Sequence, residues 1–162
     1  MIYNTIVKPH FTFCVTVLYQ AFITDINKLQ VLQNKGMRAI LKCGKRVPVQ
    51  NMLNILGWIN IKDLIGVSGM CYIYKMQNRL LPEYLAEKLV PMAGRHDHVT
   101  RNSYKYNLGG CSRQSMIKSL FYTGVREYNA LPATLKRVNT VEKFKKGLVE
   151  LVKKRYAFDC MS

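Results

Sequence analysis

The sequence predicts an all-α protein: a helical bundle of about six to eight helices in two lobes joined by a long polar loop, with at most one short strand or hairpin. Three observations lead there. Apolar residues recur at a helical period along most of the chain. Prolines and several glycines fall where one periodic segment gives way to the next. Hydrophobic residues make up 49% of the 162, which suits a folded core and not a disordered chain.

Taken in order, residues 2–22 suggest a helix broken or restarted at Pro9, whose ring blocks a continuous hydrogen-bond ladder. Asp25 is a plausible N-cap for a helix running to about Cys43, stopped by Gly44. Pro48 opens a short helix that ends at Gly57. Asn60 then caps a longer one to about Leu80, in which Gly66 and Gly69 permit close helix packing. Pro82 starts a further short helix, 82–90. Residues 91–111, PMAGRHDHVTRNSYKYNLGGC, are polar and irregular, with at most a short strand around Tyr104–Leu108. A stretch this long is usually functional or mobile. Helical pattern resumes near Ser115, passes a turn at Leu131-Pro132, and ends in an amphipathic helix from Thr140 to about Tyr156. The organisation expected is one helical lobe over 1–90, the loop 91–111, and a C-terminal helical lobe over 112–162.

Charge says more than shape. The chain carries 25 Lys+Arg against nine Asp+Glu, a net +16. A domain that repels itself this strongly suits a polyanionic partner. The excess is spread evenly over the two halves, but the acids are not: Asn27–Arg46, NKLQVLQNKGMRAILKCGKR, has six basic residues and no acid. On a helix at roughly 100° per residue, Lys28, Lys35, Arg38 and Lys42 share an arc of about 80°. Ile26, Leu29, Leu32, Gly36, Met37, Ile40 and Leu41 occupy the other side, and Lys45 and Arg46 continue the charge past the helix end. Val31 is an apolar residue inside the stripe. A solvated face explains one-sidedness, but not the lack of balancing carboxylates. The last helix repeats the pattern less cleanly. Lys143, Lys146, Lys153 and Lys154 oppose Val141, Phe144, Leu148, Leu151 and Val152, with Glu150 among them and Lys145 and Arg155 off the arc.

Signs of catalysis are missing. Phosphodiester chemistry typically needs clustered carboxylates to hold divalent metal, whereas Asp25, Asp63, Asp97 and Asp159 are isolated in sequence. Gly109-Gly110 is a lone pair suited to a turn, and no phosphate loop or nucleophile elbow occurs. His96 and His98 lie two apart without further ligands, so no metal and no cofactor are expected. The cysteines at 14, 43, 71, 111 and 160 lack zinc or redox spacing. They read as reduced, mostly buried thiols of a cytosolic or nuclear protein. The apolar stretch 9–23 lacks a signal-peptide cleavage site, and 64–74 falls short of the roughly 20 residues of a membrane span.

The same residues carry a resemblance. PHFTFC (9–14), KLQVLQNKGMRAIL (28–41), LGWINI (56–61), YKMQNRLLPEYL (74–85), TRNSYKYNL (100–108) and EYNALPATLKRVNTVEKFKKGL (127–148) resemble successive blocks of one family. It is the C-terminal, thumb and post-thumb region of reverse transcriptases from jockey-like non-LTR retrotransposons. The similarity runs from about residue 2 to 156. Departures are Tyr128 where the family often has tryptophan, Leu18-Tyr19 in place of Trp-Gly, and Gly36 where a helix-forming alanine or leucine is usual. The family's catalytic palm and endonuclease have no counterpart here, and the resemblance places them upstream.

The resemblance implies that residues 1–90 are a thumb-like lobe that grips template–primer by its backbone, in agreement with the one-sided charge. The expected function is a non-catalytic nucleic-acid-binding fragment, in the nucleus or cytoplasm, acting on RNA or an RNA–DNA duplex through phosphates. Its candidate contacts are Lys28, Lys35, Arg38, Lys42, Lys45, Arg46, Arg101, Lys105, Lys143 and Lys146. Tyr104 and Tyr106 are candidates for base stacking, against ordinary packing. The alternatives are a retroelement-derived helical module that packs on a reverse transcriptase palm or another protein chain, or a relic with no selected role.

Overall fold

The computed structural model describes residues 3–92, 105–108 and 112–159. They form an all-α bundle. A wide π-type turn, Tyr3–Val7, leads into α1 (Lys8–Thr12) and α2 (Val15–Leu18). The break expected near Pro9 falls a turn later, at Phe13, which is extended, and at Cys14, which takes a positive φ of 52°. Proline at the second helical position needs no intrahelical donor, so it opens α1 instead of breaking it.

α3 spans Ile23–Leu41. Its N-cap is Phe22, and Asp25 lies in the first turn, where a carboxylate complements the helix dipole. At the other end Lys42 takes the left-handed position (φ 49°), and the Cys43 N–H returns to the Arg38 carbonyl. The helix thus closes two residues before Gly44, the stop suggested by sequence. α4 (Val49–Leu56) follows Pro48 and closes on Gly57 at φ 64°. α5 (Ile61–Gln77) is capped as expected: Asn60 Oδ1 accepts from the Asp63 N–H at 2.7 Å.

α6 (Glu83–Ala86) is shorter than the 82–90 helix expected. The chain turns out of it to bury Leu89 and to pair with the far side of the loop. There an isolated antiparallel bridge joins Pro91 and Tyr106, flanked by hydrogen bonds from Met92 N–H to Lys105 O and Asn107 N–H to Val90 O, both 2.8 Å. This bridge is the only β pairing among the described residues. Beyond it come α7 (Gln114–Ile117), a second π-type turn (Leu120–Gly124), α8 (Val125–Ala130), α9 (Ala133–Lys136) and α10 (Val141–Asp159).

α5 is the central element, and α1, α2, α3, α8 and α10 all pack on it. The main core draws from both sides of the 91–111 loop. Ile61, Leu64, Ile65, Val67, Ile73, Tyr74 and Met76 meet Leu120, Val125, Tyr128, Phe144, Leu148, Val152 and Tyr156. The inward face of α10 recurs every fourth residue, at Phe144, Leu148, Val152 and Tyr156, as a helical period requires. Tyr74 stacks on Phe144 with centroids 4.4 Å apart. Its hydroxyl donates to the Val138 carbonyl, and the Tyr128 hydroxyl donates to Gln77 Oε1. Buried tyrosines thereby keep their polar ends satisfied. A smaller cluster of Met37, Met52 and Leu53 locks the end of α3 to α4.

Candidate nucleic-acid interface

α3 buries a narrower strip than its apolar residues suggest. Gln33 and Met37 are buried, with Ile26, Leu29, Gln30 and Leu41 half-buried beside them. Leu32 and Ile40, expected on the inward face, are 55% and 52% exposed. Gly36 between them has nothing within 4 Å of where a Cβ would sit. The cause is geometric: α3 packs chiefly against α4 and α5, which cover one side of it. Leu32, Gly36 and Ile40 therefore form an open apolar row beside the basic one.

The basic row divides. Lys35 and Lys42 are exposed, as are Lys45 and Arg46 in the turn that follows. Among the described residues no carboxylate lies within ion-pair distance of these four. Lys28 is exposed too, but Asp25 Oδ1 holds its ammonium at 2.9 Å, one helical turn back. The expectation that no acid balances the stripe is corrected at that position. Arg38 is half-buried, with an Nε that is buried and has no hydrogen-bond partner. It lies at the margin of the exposed arc.

The other predicted contacts are scattered. Lys143 and Lys146 are exposed on α10, which packs on α5 and α9. Lys105 is half-buried, and its carbonyl accepts the Met92 N–H. Arg101 and Tyr104 lie outside the described residues, as do His96 and His98. Tyr106 is a packing residue: its ring tilts against Tyr128, and its backbone N–H and carbonyl both bond the Asn129 side chain, at 2.9 and 2.8 Å. Several other lysines are engaged by rings, with Lys88 over Phe121, Lys118 over Phe22 and Lys136 over Tyr128, at 5.3 to 5.5 Å. Cys71 is buried, and burial pushes its thiol up to about 11, but Cys14 is exposed and Cys43 half-buried. The expectation of mostly buried thiols thus fails at Cys14.

One constellation escaped the sequence reading. Lys8 at the start of α1 and Lys145 on α10 line a cavity of about 200 Å³ with Tyr3, Asn4, Gly57, Trp58 and Val149. Lys153, two turns beyond Lys145, brings its Nζ to 3.5 Å from where a Cβ on Gly57 would sit. Burial, followed by the charges of Lys145 and Lys153, holds the Lys8 ammonium below its usual range. The helical spacing of Lys145, Val149 and Lys153 was a readable signal. The arrival of Lys8 from the other end of the chain was not.

Among the described residues no group of three His, Cys, Asp or Glu side chains is placed to hold a metal ion. No helix among them is long and apolar enough to cross a membrane. Compared with known families, with curated proteins and with solved structures, the chain matches none of them.

Proposed function

We propose that the chain is a non-catalytic nucleic-acid-binding module that holds the phosphate backbone of RNA or an RNA–DNA duplex on the exposed basic side of α3. The resemblance to the thumb and post-thumb region of a retrotransposon reverse transcriptase motivates the reading, with action in the nucleus or cytoplasm. One observation carries it: Lys35, Lys42, Lys45 and Arg46 are all exposed, close in sequence, and without a carboxylate partner among the described residues. Exposed cations normally sit beside acids at i,i+4. A run without them repels itself until an anion arrives, and release of counterions then drives binding regardless of base sequence.

Fluorescence anisotropy on an RNA–DNA hybrid and on single-stranded RNA, titrated over salt, tests this. For the duplex, log affinity falls by roughly 0.9 per log unit of salt for each phosphate neutralised. A variant with Lys35, Lys42, Lys45 and Arg46 changed to Glu binds far more weakly, with a shallower slope. Arg38 is left intact in that variant because of its burial. Equal binding by the two proteins, or none by either, overturns the reading.

A second reading has its own observation. Val31, Leu32 and Ile40 are each more than half exposed beside the lysines, and an exposed apolar row suits a protein partner such as a reverse transcriptase palm or another chain. Self-association that persists in high salt without nucleic acid favours it.

A further inference from the structure

We infer that the cavity between Tyr3, Gly57, Trp58 and α10 is an anion site whose three lysines, Lys8, Lys145 and Lys153, take a phosphate monoester. It stands on different residues from the α3 face and does not depend on that reading.

The argument starts from convergence. Lys8 and Lys145 come from opposite ends of the chain and line one cavity, whose edge at Gly57 is approached by the Nζ of Lys153. Lys145 and Lys153 are exposed and Lys8 is half-buried, and like charges gathered beside a partly desolvated ammonium cost free energy unless something compensates them. Among the described residues no carboxylate does so within ion-pair distance. Glu142 and Glu150 are the nearest candidates by sequence, since they share an adjoining groove of α10 with Lys145 and Lys153. Neither forms an ion pair there, so the ordinary account of mixed charge on a solvated helix does not neutralise the cluster.

The cavity selects by size and charge. About 200 Å³ admits a phosphate with part of what it is attached to, but not a duplex. Three ammonium groups, each a rotatable triple donor, match a group that carries nearly two negative charges at neutral pH and several acceptor oxygens. Leu56, Ile59, Leu64 and Val67 supply apolar walls, which strengthen charge-assisted bonds by excluding water. Tyr3 and Trp58 are stacked, with centroids 3.4 Å apart and planes at 13°. That pair fixes the wall before any ligand arrives, so little ordering cost is left to binding.

Trp58 is the single tryptophan of the chain, so its emission reports this cavity. The full chain is titrated with inorganic phosphate and with AMP at constant ionic strength, sodium chloride alone serving as the blank. Both ligands give a saturable change in Trp58 emission. Lys145→Gln with Lys153→Gln weakens it roughly tenfold or more, and Lys8→Gln alone also weakens it. Lys154→Gln, at an exposed position of α10 outside the cavity lining, leaves it unchanged, and circular dichroism confirms that every variant is folded. A 5′-phosphorylated oligonucleotide is compared with its 5′-hydroxyl counterpart to separate the sources. Tighter binding of the phosphorylated strand by wild type, lost in the double variant, assigns the site to strand ends. Response to AMP without that preference assigns it to free nucleotides. No saturable change with either small ligand, or an equal change in the folded double variant, overturns the proposal.

Discussion

Gln33 donates through Nε2 to the Tyr3 hydroxyl at 2.8 Å, across thirty residues of sequence, and to the Ile59 carbonyl at 3.0 Å. Only 2% of Gln33 is exposed. Its Oε1 accepts in turn from Gln30, whose own Oε1 accepts the Ile61 N–H at 2.8 Å. A polar side chain in the middle of α3 thus ties the basic helix to the start of α5 and to the aromatic wall of the lysine cavity. Gln33→Leu strands the Tyr3 hydroxyl and the Ile59 carbonyl, and costs about 1–3 kcal/mol in chemical denaturation. Because Tyr3 lies against Trp58, the same variant shifts Trp58 emission before unfolding begins.

Lys42 serves two ends that conflict. As the C-cap of α3 it holds φ 49°, a conformation that costs a side-chain-bearing residue about 1 kcal/mol and glycine almost nothing. As an exposed cation it belongs to the proposed phosphate face. Lys42→Gly therefore raises the midpoint of thermal unfolding while lowering RNA affinity and reducing the salt slope. A variant that loses both stability and affinity contradicts this division.

Two glycines of the helices respond in opposite directions to one methyl group. Above Gly36 there is open space, so Gly36→Ala stabilises α3 by about 0.5–1 kcal/mol. At Gly69 a Cβ would fall 2.3 Å from the Tyr19 ring, so Gly69→Ala destabilises by about 1–3 kcal/mol through overpacking. Paired urea melts of the two variants measure the difference.

Glu127 gives the fold a pH dependence. Glu127 is exposed as a residue, but desolvation of its carboxyl beside Tyr19 raises it above the ordinary value of 4.5; the Tyr19 hydroxyl, which donates to it at 3.2 Å, and the charges of Arg126, Lys62 and Arg155 act the other way. With a raised native value, the folded state binds more protons than the unfolded one in the window that opens near 4.5 and extends upward. Stability contributed by Glu127 is present below that window and is lost as pH rises through it. The melting temperature of wild type minus that of Glu127→Gln therefore declines between pH 4 and pH 7. A difference that stays constant with pH shows that the desolvation of the Glu127 carboxyl is not felt.

Legibility followed periodicity. Asn60 as a cap, α4 between Pro48 and Gly57, and the inward Phe144, Leu148 and Val152 of α10 were readable because local pattern and tertiary burial agree there, whereas Leu151, expected on the same face, is exposed and Tyr156 takes the next inward place. The all-α class follows from the same agreement. α3 was misjudged on one flank. Leu32 and Ile40 look inward by hydropathy, but among the described residues no third element covers that flank and both are exposed. Gln33 was missed for the converse reason, since a glutamine in a polar-looking helix gives no sign of burial until its partners, Tyr3 and Ile59, are known. The lysine cavity was half legible: Lys145 and Lys153 share a helical face, but Lys8 joins them only through the packing of α1 and α10 around α5. The pairing of Lys28 was legible from spacing alone, because Asp25 lies one turn away and within reach of it.

The Pro91–Tyr106 bridge has a practical consequence. It sets Val90 and Asn107 side by side, with two 2.8 Å hydrogen bonds as the clasp. Residues 92 and 105 are thereby held at nearly the same point, so a peptide inserted between them enters and leaves the bundle at one place. Closing a longer connection costs only about 0.6 kcal/mol per doubling. A peptide epitope or a small reporter domain can be spliced in between, and the bundle will carry it as a handle.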